Sequence, residues 1–400
     1  MKIKNISLIL LLGMSAYSST LSDIKKQTLN NNQDLKIIQN DIKVSKHSEL
    51  LSTKWKNIVL GFGMNDLQLN DFTSRDIEPM QNQFISLSQK IPLSNELNNK
   101  RDIQITQSKI YSLLLEDKKV KYNSLIHEYL NEYVILQKRV WLLSNLKKNI
   151  KTIQELQEQK FKLTGSEQIN IINSSNKYVR YDLEREALLN KLEILKLKLE
   201  NISYSSQNKI IHSLEKQTIE KVNIQELLKN NFMYKALKEK IKKSKQNIDL
   251  EKSKYTNDIN FKIAYYQREK FEDYLSFSIS YPLSIYGSED IKINRAKEKY
   301  LRSKSMLIKF ENEFKIKVKS ILFDMELANN NYDLIISKVV ANKKIIREIL
   351  KSQGSINKLN SIKQLKNSNS IIEESLRALT QQSNFYKAKA KLKYFQGEKL

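Results

Sequence analysis

The chain of 400 residues carries 69 basic and 44 acidic side chains, a formal net charge of +25, and 40% hydrophobic residues. It contains only 7 glycines and 3 prolines, and no cysteine. Because glycine and proline mark the turns of compact domains, their scarcity predicts a few very long helices. The lack of cysteine excludes disulfides, thiolate metal sites, thiol nucleophiles and a lipid-anchored cysteine. The histidines are too far apart in sequence for a metal-ligand motif: His47, His127 and His212.

The positive charge has two interpretations. Phosphate neutralisation would suit a nucleic-acid-binding protein. The lysines are spread along the chain rather than clustered, however, and no zinc-finger, RNA-binding or helix-turn-helix pattern is present. We therefore favour lysines that cover the solvent-exposed faces of long helices, with no nucleic-acid partner.

Residues 1–18 have the pattern of a secretory signal peptide. Lys2 and Lys4 precede an apolar run over 6–12, and small residues follow in 16–18. Removal of this segment takes two lysines from +25 and leaves +23. The alternative is an N-terminal core helix. No other segment holds eighteen consecutive apolar residues, so an exported chain of this kind is either soluble in the periplasm or enters an outer membrane as strands.

Four short segments alternate apolar with small or polar residues, the period of half-exposed strands. They lie at about 58–67, 84–92, 258–266 and 274–282. Each has about the length that a tilted membrane strand needs, with one apolar face. The alternative is a pair of soluble hairpins packed on a helix.

The rest of the chain is predicted to be helical. Leucine and isoleucine recur at coiled-coil spacing in 136–153 and 188–199, which indicates packing seams. The segments from about 97 to 164 and from 288 to 353 would each rise roughly 100 Å as helices. Shorter helices are predicted over 21–55, 166–202, 222–255 and 355–396. Two long helices and two pairs of half-length helices suit a tall conduit better than a compact domain.

The sequence also contains an internal duplication. Lys90-Ile-Pro-Leu93 corresponds to Ser280-Tyr-Pro-Leu283, and Gly165-Ser166 corresponds to Gly354-Ser355. Upstream, Leu29–Asn32 corresponds to Leu228–Asn231. The matched order predicts a first repeat over 19–207 and a second over 208–400, each running helix, two strands, long helix, tip and return helix.

These pieces together resemble the TolC-like outer membrane efflux proteins over essentially the whole mature chain. The segments that open near Leu29 and Leu228 are similar to that family's helix-opening pattern, although Gln33 and Phe232 stand where the family often has proline. The strand-to-helix exits at Pro92 and Pro282 are similar to the family's Pro-Leu exits. The tips near 165 and 354 and the ending over 390–397 are also similar to the family's.

The resemblance implies a mainly α-helical fold with membrane β-strands, built from a duplicated helical-hairpin plus β-hairpin repeat. Three copies would close a homotrimeric 12-stranded β-barrel, continued by a long periplasmic α-helical barrel. Physical chemistry requires part of this, because four strands cannot close a barrel and open strand edges cannot face lipid. The number three comes from the resemblance alone.

The implied function is a passive exit duct in the bacterial outer membrane, without catalytic residues or cofactors. An inner-membrane RND or ABC pump would deliver cargo, as in tripartite efflux or type I secretion. A periplasmic adaptor, or membrane fusion protein, would dock on the tips. The predicted docking residues are Leu163, Thr164, Gly165, Ser166, Gln353, Gly354, Ser355 and Ile356.

Well-known members carry acidic residues at the closed periplasmic aperture, where this chain has Asn360 and Lys363. A ring of three Lys363 ammonium groups would disfavour cations; the alternative is a solvated surface lysine. As other functions we weighed a periplasmic coiled-coil adaptor, a structural protein of the cell envelope, and an exported hydrolase. The hydrolase lacks any recognisable catalytic motif.

Overall fold

A computed structural model describes residues 18–72, 74, 76–166, 168–352 and 358–400. These residues form two compact units, and each unit takes segments from both halves of the chain. The sheet unit comprises 36–116 and 232–313, and the helical unit comprises 18–35, 117–231 and the described part of 314–400. The two segments of the sheet unit begin at Lys36 and Phe232 and end at Glu116 and Glu313. Equivalent parts of the two predicted repeats therefore meet in one unit.

Helices dominate the described residues, and two β-hairpins supply the main sheet, which confirms the predicted fold class. In chain order the elements are β1 (Ser18–Ser19), α1 (Leu21–Asn31), α2 (Gln33–Ser52), β2 (Val59–Asn65), β3 (Asn82–Ile91), α3 (Glu96–Thr164), α4 (Gln168–Ser203), β4 (Lys209–Ile210), α5 (Ile224–Asn230), α6 (Phe232–Ser253), β5 (Ile259–Gln267), β6 (Tyr274–Ser280), α7 (Ser288–Leu334), a π-helical segment (Ile335–Val340), α8 (Ala341–Ser352) and α9 (Lys358–Gln396).

The main sheet is antiparallel throughout, in the order β2-β3-β5-β6. Each hairpin pairs its own strands, and β3 pairs with β5 to join the two hairpins. The register places Leu87 opposite Leu60 on one side and Ile263 on the other, and Ile263 opposite Phe277. Residues that share a row across the sheet also share a face, so the alternation in sequence becomes two different surfaces.

Two predicted helices are each broken in two, which corrects the uninterrupted helices expected over 21–55 and 222–255. The breaks fall at Asn32 and Asn231, both buried and both with extended backbone. Asn32 Oδ1 accepts the backbone N–H of Leu35 at 3.2 Å, and its Nδ2 donates to the carbonyl oxygen of Ile202 at 2.8 Å. One asparagine side chain therefore caps the start of α2 and satisfies a carbonyl at the end of α4.

The long helix predicted from Ser288 is regular as far as Leu334, then continues through the π-helical segment into α8. A π-turn widens a helix by one residue per turn and shifts the faces of the residues beyond it. The expectation of one uninterrupted α-helix is wrong at this point. Val340, at the end of the segment, is buried.

Leucine seams form the core of the helical unit. Leu136, Leu143 and Leu146 are each no more than 2% exposed, and Leu199 is fully buried. The coiled-coil spacing in the sequence therefore marks packing, as predicted. Among the residues described, no helix combines the length and the apolar character that crossing a membrane would require.

Residues 1–17 of the predicted signal peptide lie outside the described residues. Ser18, its last residue, pairs with Lys209 in the parallel β1–β4 bridge of the helical unit. Ser19 pairs with Ile210, and its carbonyl oxygen accepts the N–H of Ile211 at 3.1 Å. The position of cleavage and the repeat boundary at 207/208 stay predictions.

Candidate functional site: a two-faced sheet and a helical tip

One surface of the sheet, the apolar face, is covered with large hydrophobic side chains. Phe62 is 75% exposed and Ile279 is 69% exposed. Exposed apolar surface of this extent on a soluble protein marks an interaction site, with lipid or with protein. The register assigns to the apolar face Leu60, Phe62, Met64, Ile85, Leu87, Ile91, Ile259, Phe261, Ile263, Tyr265, Leu275, Phe277 and Ile279.

The opposite surface, the polar face, carries small and polar residues, with one row of aromatic rings. The small residues allow close approach of neighbouring side chains. A Cβ placed on Gly63 would lie 2.7 Å from Phe84 ring atoms, so this glycine is where that ring rests. The polar face comprises Val59, Gly61, Gly63, Phe84, Ser86, Ser88, Lys90, Asn260, Lys262, Ala264, Tyr266, Tyr274, Ser276, Ser278 and Ser280.

The aromatic row crosses three strands of the polar face. The ring centroids of Phe84 and Tyr266 are 5.4 Å apart, and Tyr266 stacks on Tyr274 at 4.7 Å. Cations lie over the two outer rings: Lys262 Nζ is 5.3 Å from the Phe84 centroid, and the Arg268 guanidinium is 5.2 Å from Tyr274. Cation–π attraction therefore adds to the ring contacts of this row.

An ion pair links the β2–β3 connection to the β5–β6 turn at one end of the sheet. Lys270 in the β5–β6 turn forms a 2.7 Å ion pair with Asp76 in the β2–β3 connection. The hydrogen bond and charge of Lys270 hold the pKa of the Asp76 carboxyl below its usual value. Because this pair is exposed, its contribution to stability is small.

The two prolines predicted as strand-to-helix exits lie in the sheet unit. Pro92 follows directly on the end of β3, and Pro282 lies between β6 and α7. The carbonyl oxygen of Pro282 accepts an amide hydrogen from Asn257 Nδ2 at 2.9 Å. Proline has no N–H to donate to a ladder, so it ends strand pairing at both exits.

The first predicted tip closes the connection between α3 and α4 in the helical unit. Leu163 is 77% exposed, and Thr164 is the last residue of α3. Gly165 has φ +66° and donates its N–H to the carbonyl oxygen of Phe161 at 2.8 Å. Glycine accepts this left-handed conformation without Cβ strain, and Ser166 follows it on the exposed surface. The residues of the second predicted tip, Gln353, Gly354, Ser355 and Ile356, lie outside the described residues.

The two residues predicted at the aperture lie in the first two turns of α9. Asn360 is partly buried, and Lys363 is exposed. Ile362 is buried, whereas the adjacent Lys363 is exposed to solvent.

Side-chain hydrogen bonds join α3, α4 and α9 in the part of the helical unit that carries these residues. Ser174 Oγ in α4 donates to Gln157 Oε1 in α3 at 2.7 Å. Asn149 in α3 and Asn369 in α9 bond through their side-chain amides at 2.8 Å. Tyr181 in α4 donates to Glu373 in α9. The heptad pattern does not predict these bonds, because it locates seams and not polar partners.

Burial and the Glu373 carboxylate raise the pKa of the Tyr181 hydroxyl to about 12. The phenol therefore stays protonated and keeps donating throughout the physiological pH range. The hydrogen bond from Tyr181 to the Glu373 carboxylate therefore connects α4 to α9.

A second group of titratable side chains lies around the buried His127, elsewhere in the helical unit. Burial, with the charges of Lys393 and Lys25, lowers the pKa of His127 to about 3. Burial alone would raise the pKa of Glu215, but the hydrogen bond from Lys389 and the charges of Lys393 and Lys389 outweigh it and lower that pKa. His127 is therefore a neutral core residue, near an exposed Glu215 carboxylate that forms ion pairs with Lys389 and Lys393. Across the described ranges, no group of three His, Asp or Glu residues is placed to hold a metal ion.

No protein-family model matches the sequence, and no curated protein matches it. Solved structures do match. The fold is similar to the outer membrane channel CmeC of Campylobacter jejuni, with a TM-score of 0.75 over 94% of this chain and 85% of that one, at 13% identity. It is also similar to the open state of the outer membrane channel MtrE of Neisseria gonorrhoeae, with a TM-score of 0.72 over 94% and 88% of the chains, at 13% identity.

A membrane protein of Pseudomonas aeruginosa matches with a TM-score of 0.70, over 92% of this chain and 93% of that one, at 13% identity. The chain thus has the fold of the TolC-like outer membrane channels, the class its motifs resemble. At 13% sequence identity, this structural similarity establishes the fold alone.

Proposed function

We propose that this chain is the outer membrane channel of a bacterial export system, a passive duct and not an enzyme. The solved structures with the same fold include proteins described as outer membrane channels. The observation that carries the proposal is the apolar face of the sheet. Transfer of one large apolar side chain out of water is favourable by about 1.5–3 kcal/mol, and lipid offers that transfer to every residue of this face.

The sheet edges require a partner of the same kind. Within the described residues, β2 and β6 each pair with a strand on one side only. Unpaired backbone groups in lipid cost several kcal/mol each, and membrane barrels begin at about eight strands. Copies of the chain therefore complete the sheet, β2 of one subunit beside β6 of the next. The resemblance to TolC-like proteins sets the number at three and the barrel at twelve strands.

In this arrangement the apolar face contacts lipid and the polar face lines the bore. The helices extend into the periplasm as a second, helical barrel. A periplasmic adaptor docks at the tips, with Leu163 as the exposed apolar contact and 353–356 as the second tip. An RND or ABC pump in the inner membrane supplies the energy, because a passive duct has no energy source of its own.

Asn360 and Lys363 line the periplasmic aperture in this proposal. Three Lys363 ammonium groups across a narrow pore repel cations and one another. Single-channel recording of Lys363→Glu compared with the wild type tests this role. Unchanged ion selectivity and unchanged block by cations in the variant would exclude it.

A periplasmic adaptor or a coiled-coil structural protein is the alternative function. Either one would leave the apolar face of the sheet in water, which is unfavourable unless another protein covers it. Cell fractionation and gel electrophoresis without heating decide between them. The channel gives SDS-resistant, heat-sensitive trimers in the outer membrane fraction, and the purified trimer conducts ions across a planar bilayer. Single subunits in the soluble periplasmic fraction would contradict the proposal.

A further inference from the structure

Lys262 occupies the middle of the polar face. It lies in β5, directly opposite Ser88 in β3 and Ser278 in β6. Its neighbours along β5 on the same face are Asn260 and Ala264. None of these four neighbours of Lys262 carries a charge.

The ammonium group of Lys262 is held by an aromatic ring and not by a carboxylate. Its Nζ lies 5.3 Å from the centroid of the Phe84 ring. Among the described residues, no carboxylate oxygen is within ion-pairing distance of it. An aromatic quadrupole attracts a cation but leaves its net charge in place, so the Lys262 charge remains uncompensated.

The other cations near this face have different partners. Lys90 forms a 3.5 Å ion pair with Asp258. Arg268 stacks on Phe271 and Tyr274, and its Nε donates to the carbonyl oxygen of Glu272 at 2.8 Å. Lys262 is thus the cation in the middle rows whose charge is not balanced by a neighbouring carboxylate.

Carboxylates are numerous at one end of the sheet but absent from the strand rows of the polar face. Asp76 is ion-paired with Lys270, and Asp273 accepts the backbone N–H of Arg268 at 2.9 Å. Two connecting segments, 66–81 and 268–273, hold the carboxylates Asp66, Asp71, Asp76, Glu78, Glu269, Glu272 and Asp273. The same two segments also hold Arg75, Arg268 and Lys270, so their net formal charge is −4, and Lys262 lies further along the polar face.

We propose that Lys262 makes the membrane-embedded bore favour anions over cations. This inference rests on the proposed channel function, because it needs the polar face to line a bore. Three copies would form a ring of ammonium groups, and fixed charges on a pore wall raise the local concentration of the opposite ion. The three ammonium groups would lie roughly 10 Å from the pore axis. At that distance and ~0.1 M salt, we expect removal of their charges to lower the chloride-to-potassium permeability ratio about fourfold.

The test measures reversal potentials of purified trimers in planar bilayers under a KCl gradient at low ionic strength. Lys262→Gln should lower the chloride-to-potassium permeability ratio, and Lys262→Arg should keep it. Ser278→Lys, which adds a charge in the same row, should raise the ratio in the wild-type background and restore it in Lys262→Gln. The double variant Lys90→Gln/Asp258→Asn removes a balanced pair and should leave the ratio unchanged.

The outcomes separate this inference from the proposed function. If the wild type forms no conducting trimers, the channel function fails and the inference fails with it. If trimers conduct but Lys262→Gln keeps the wild-type ratio, the channel stands and Lys262 has no role in selectivity. If Lys262→Gln does not assemble, Ser278→Lys alone decides, because an unchanged ratio there contradicts an ion-selective polar face.

Discussion

The hydroxyl of Tyr181 in α4 donates a 2.5 Å hydrogen bond to Glu373 Oε1 in α9. A hydrogen bond to a charged acceptor contributes about 1.5–3 kcal/mol to stability. Tyr181→Phe removes the donor, keeps the ring and leaves the carboxylate without this partner. We expect a lower thermal midpoint, followed by circular dichroism.

Tyr286→Phe is the matched control, because Tyr286 is 90% exposed and should be indifferent to loss of its hydroxyl. Equal midpoints for Tyr181→Phe and Tyr286→Phe would show that the Tyr181 bond contributes nothing to stability.

The tip between α3 and α4 depends on the backbone conformation of Gly165. No atom lies within 4 Å of a Cβ built there, but its φ of +66° is unfavourable for residues with a side chain. We therefore expect Gly165→Ala to cost about 1–2 kcal/mol through backbone strain alone. Gly165→Asn should cost less, because asparagine tolerates this conformation. Limited proteolysis at the tip reports the difference, and equal cleavage rates for the two variants would contradict the strain argument.

Gly63 is required because the Phe84 ring packs against it, and not because its backbone adopts an unusual conformation. A Cβ at this position meets the Phe84 ring at 2.7 Å, so we expect Gly63→Ala to cost about 1–3 kcal/mol. The measurement is the temperature at which the SDS-resistant trimer separates. Phe84→Ala in the same chain should remove the added penalty of Gly63→Ala.

Gly61→Ala serves as a control on the neighbouring row. Its Cβ would meet Ser86 Oγ at 2.9 Å, and a hydroxyl on a single rotatable bond can turn away. A penalty for Gly63→Ala that persists unchanged without the Phe84 ring would contradict the contact argument.

His127 makes stability depend on pH. Its folded-state pKa of about 3 lies below the unfolded value of 6.5. Between these values the unfolded chain binds a proton that the folded chain does not, so the free energy of unfolding decreases as pH falls from 6.5. The slope is about 1.4 kcal/mol per pH unit.

We expect the drop in thermal midpoint between neutral pH and pH ~5 to be smaller for His127→Gln than for the wild type. His47→Gln, at an exposed position, should retain the wild-type drop. An identical drop in all three proteins would assign the acid sensitivity to other groups.

The strands of the sheet were predictable because apolar and polar residues alternate along each of them. Leu275, Phe277 and Ile279 alternate with serines, and the structure turns that alternation into two faces. The exposure of Phe277 at 66% also follows, since a strand with one apolar face and no covering element leaves it open. The seam of Leu136 and Leu143 follows from the period alone, whereas the fold class came from the resemblance to the TolC-like proteins.

Other features depend on contacts between residues distant in sequence. The break at Asn32 is stabilised by Ile202, and the Tyr181 hydroxyl finds Glu373 only after α4 and α9 pack together. The matching Leu-x-Asn-Asn segments at 29–32 and 228–231 carried a signal for the breaks, because asparagine caps helices well. The π-helical segment at 335–340 has no such mark in the sequence.

Edge-strand disulfides test most directly whether the apolar face contacts lipid and whether copies of the chain close the sheet. The chain has no cysteine, so introduced thiols are unambiguous. One cysteine replaces Leu60 in β2, and a second is scanned through 275–279 in β6. A disulfide needs Cα atoms about 4.4–6.8 Å apart and side chains on the same face. The account predicts covalent trimers in outer membranes for an apolar-face partner, Leu275, Phe277 or Ile279, and none for Ser276 or Ser278. Absence of crosslinks at every position, with the protein dissolved as single subunits, would contradict it.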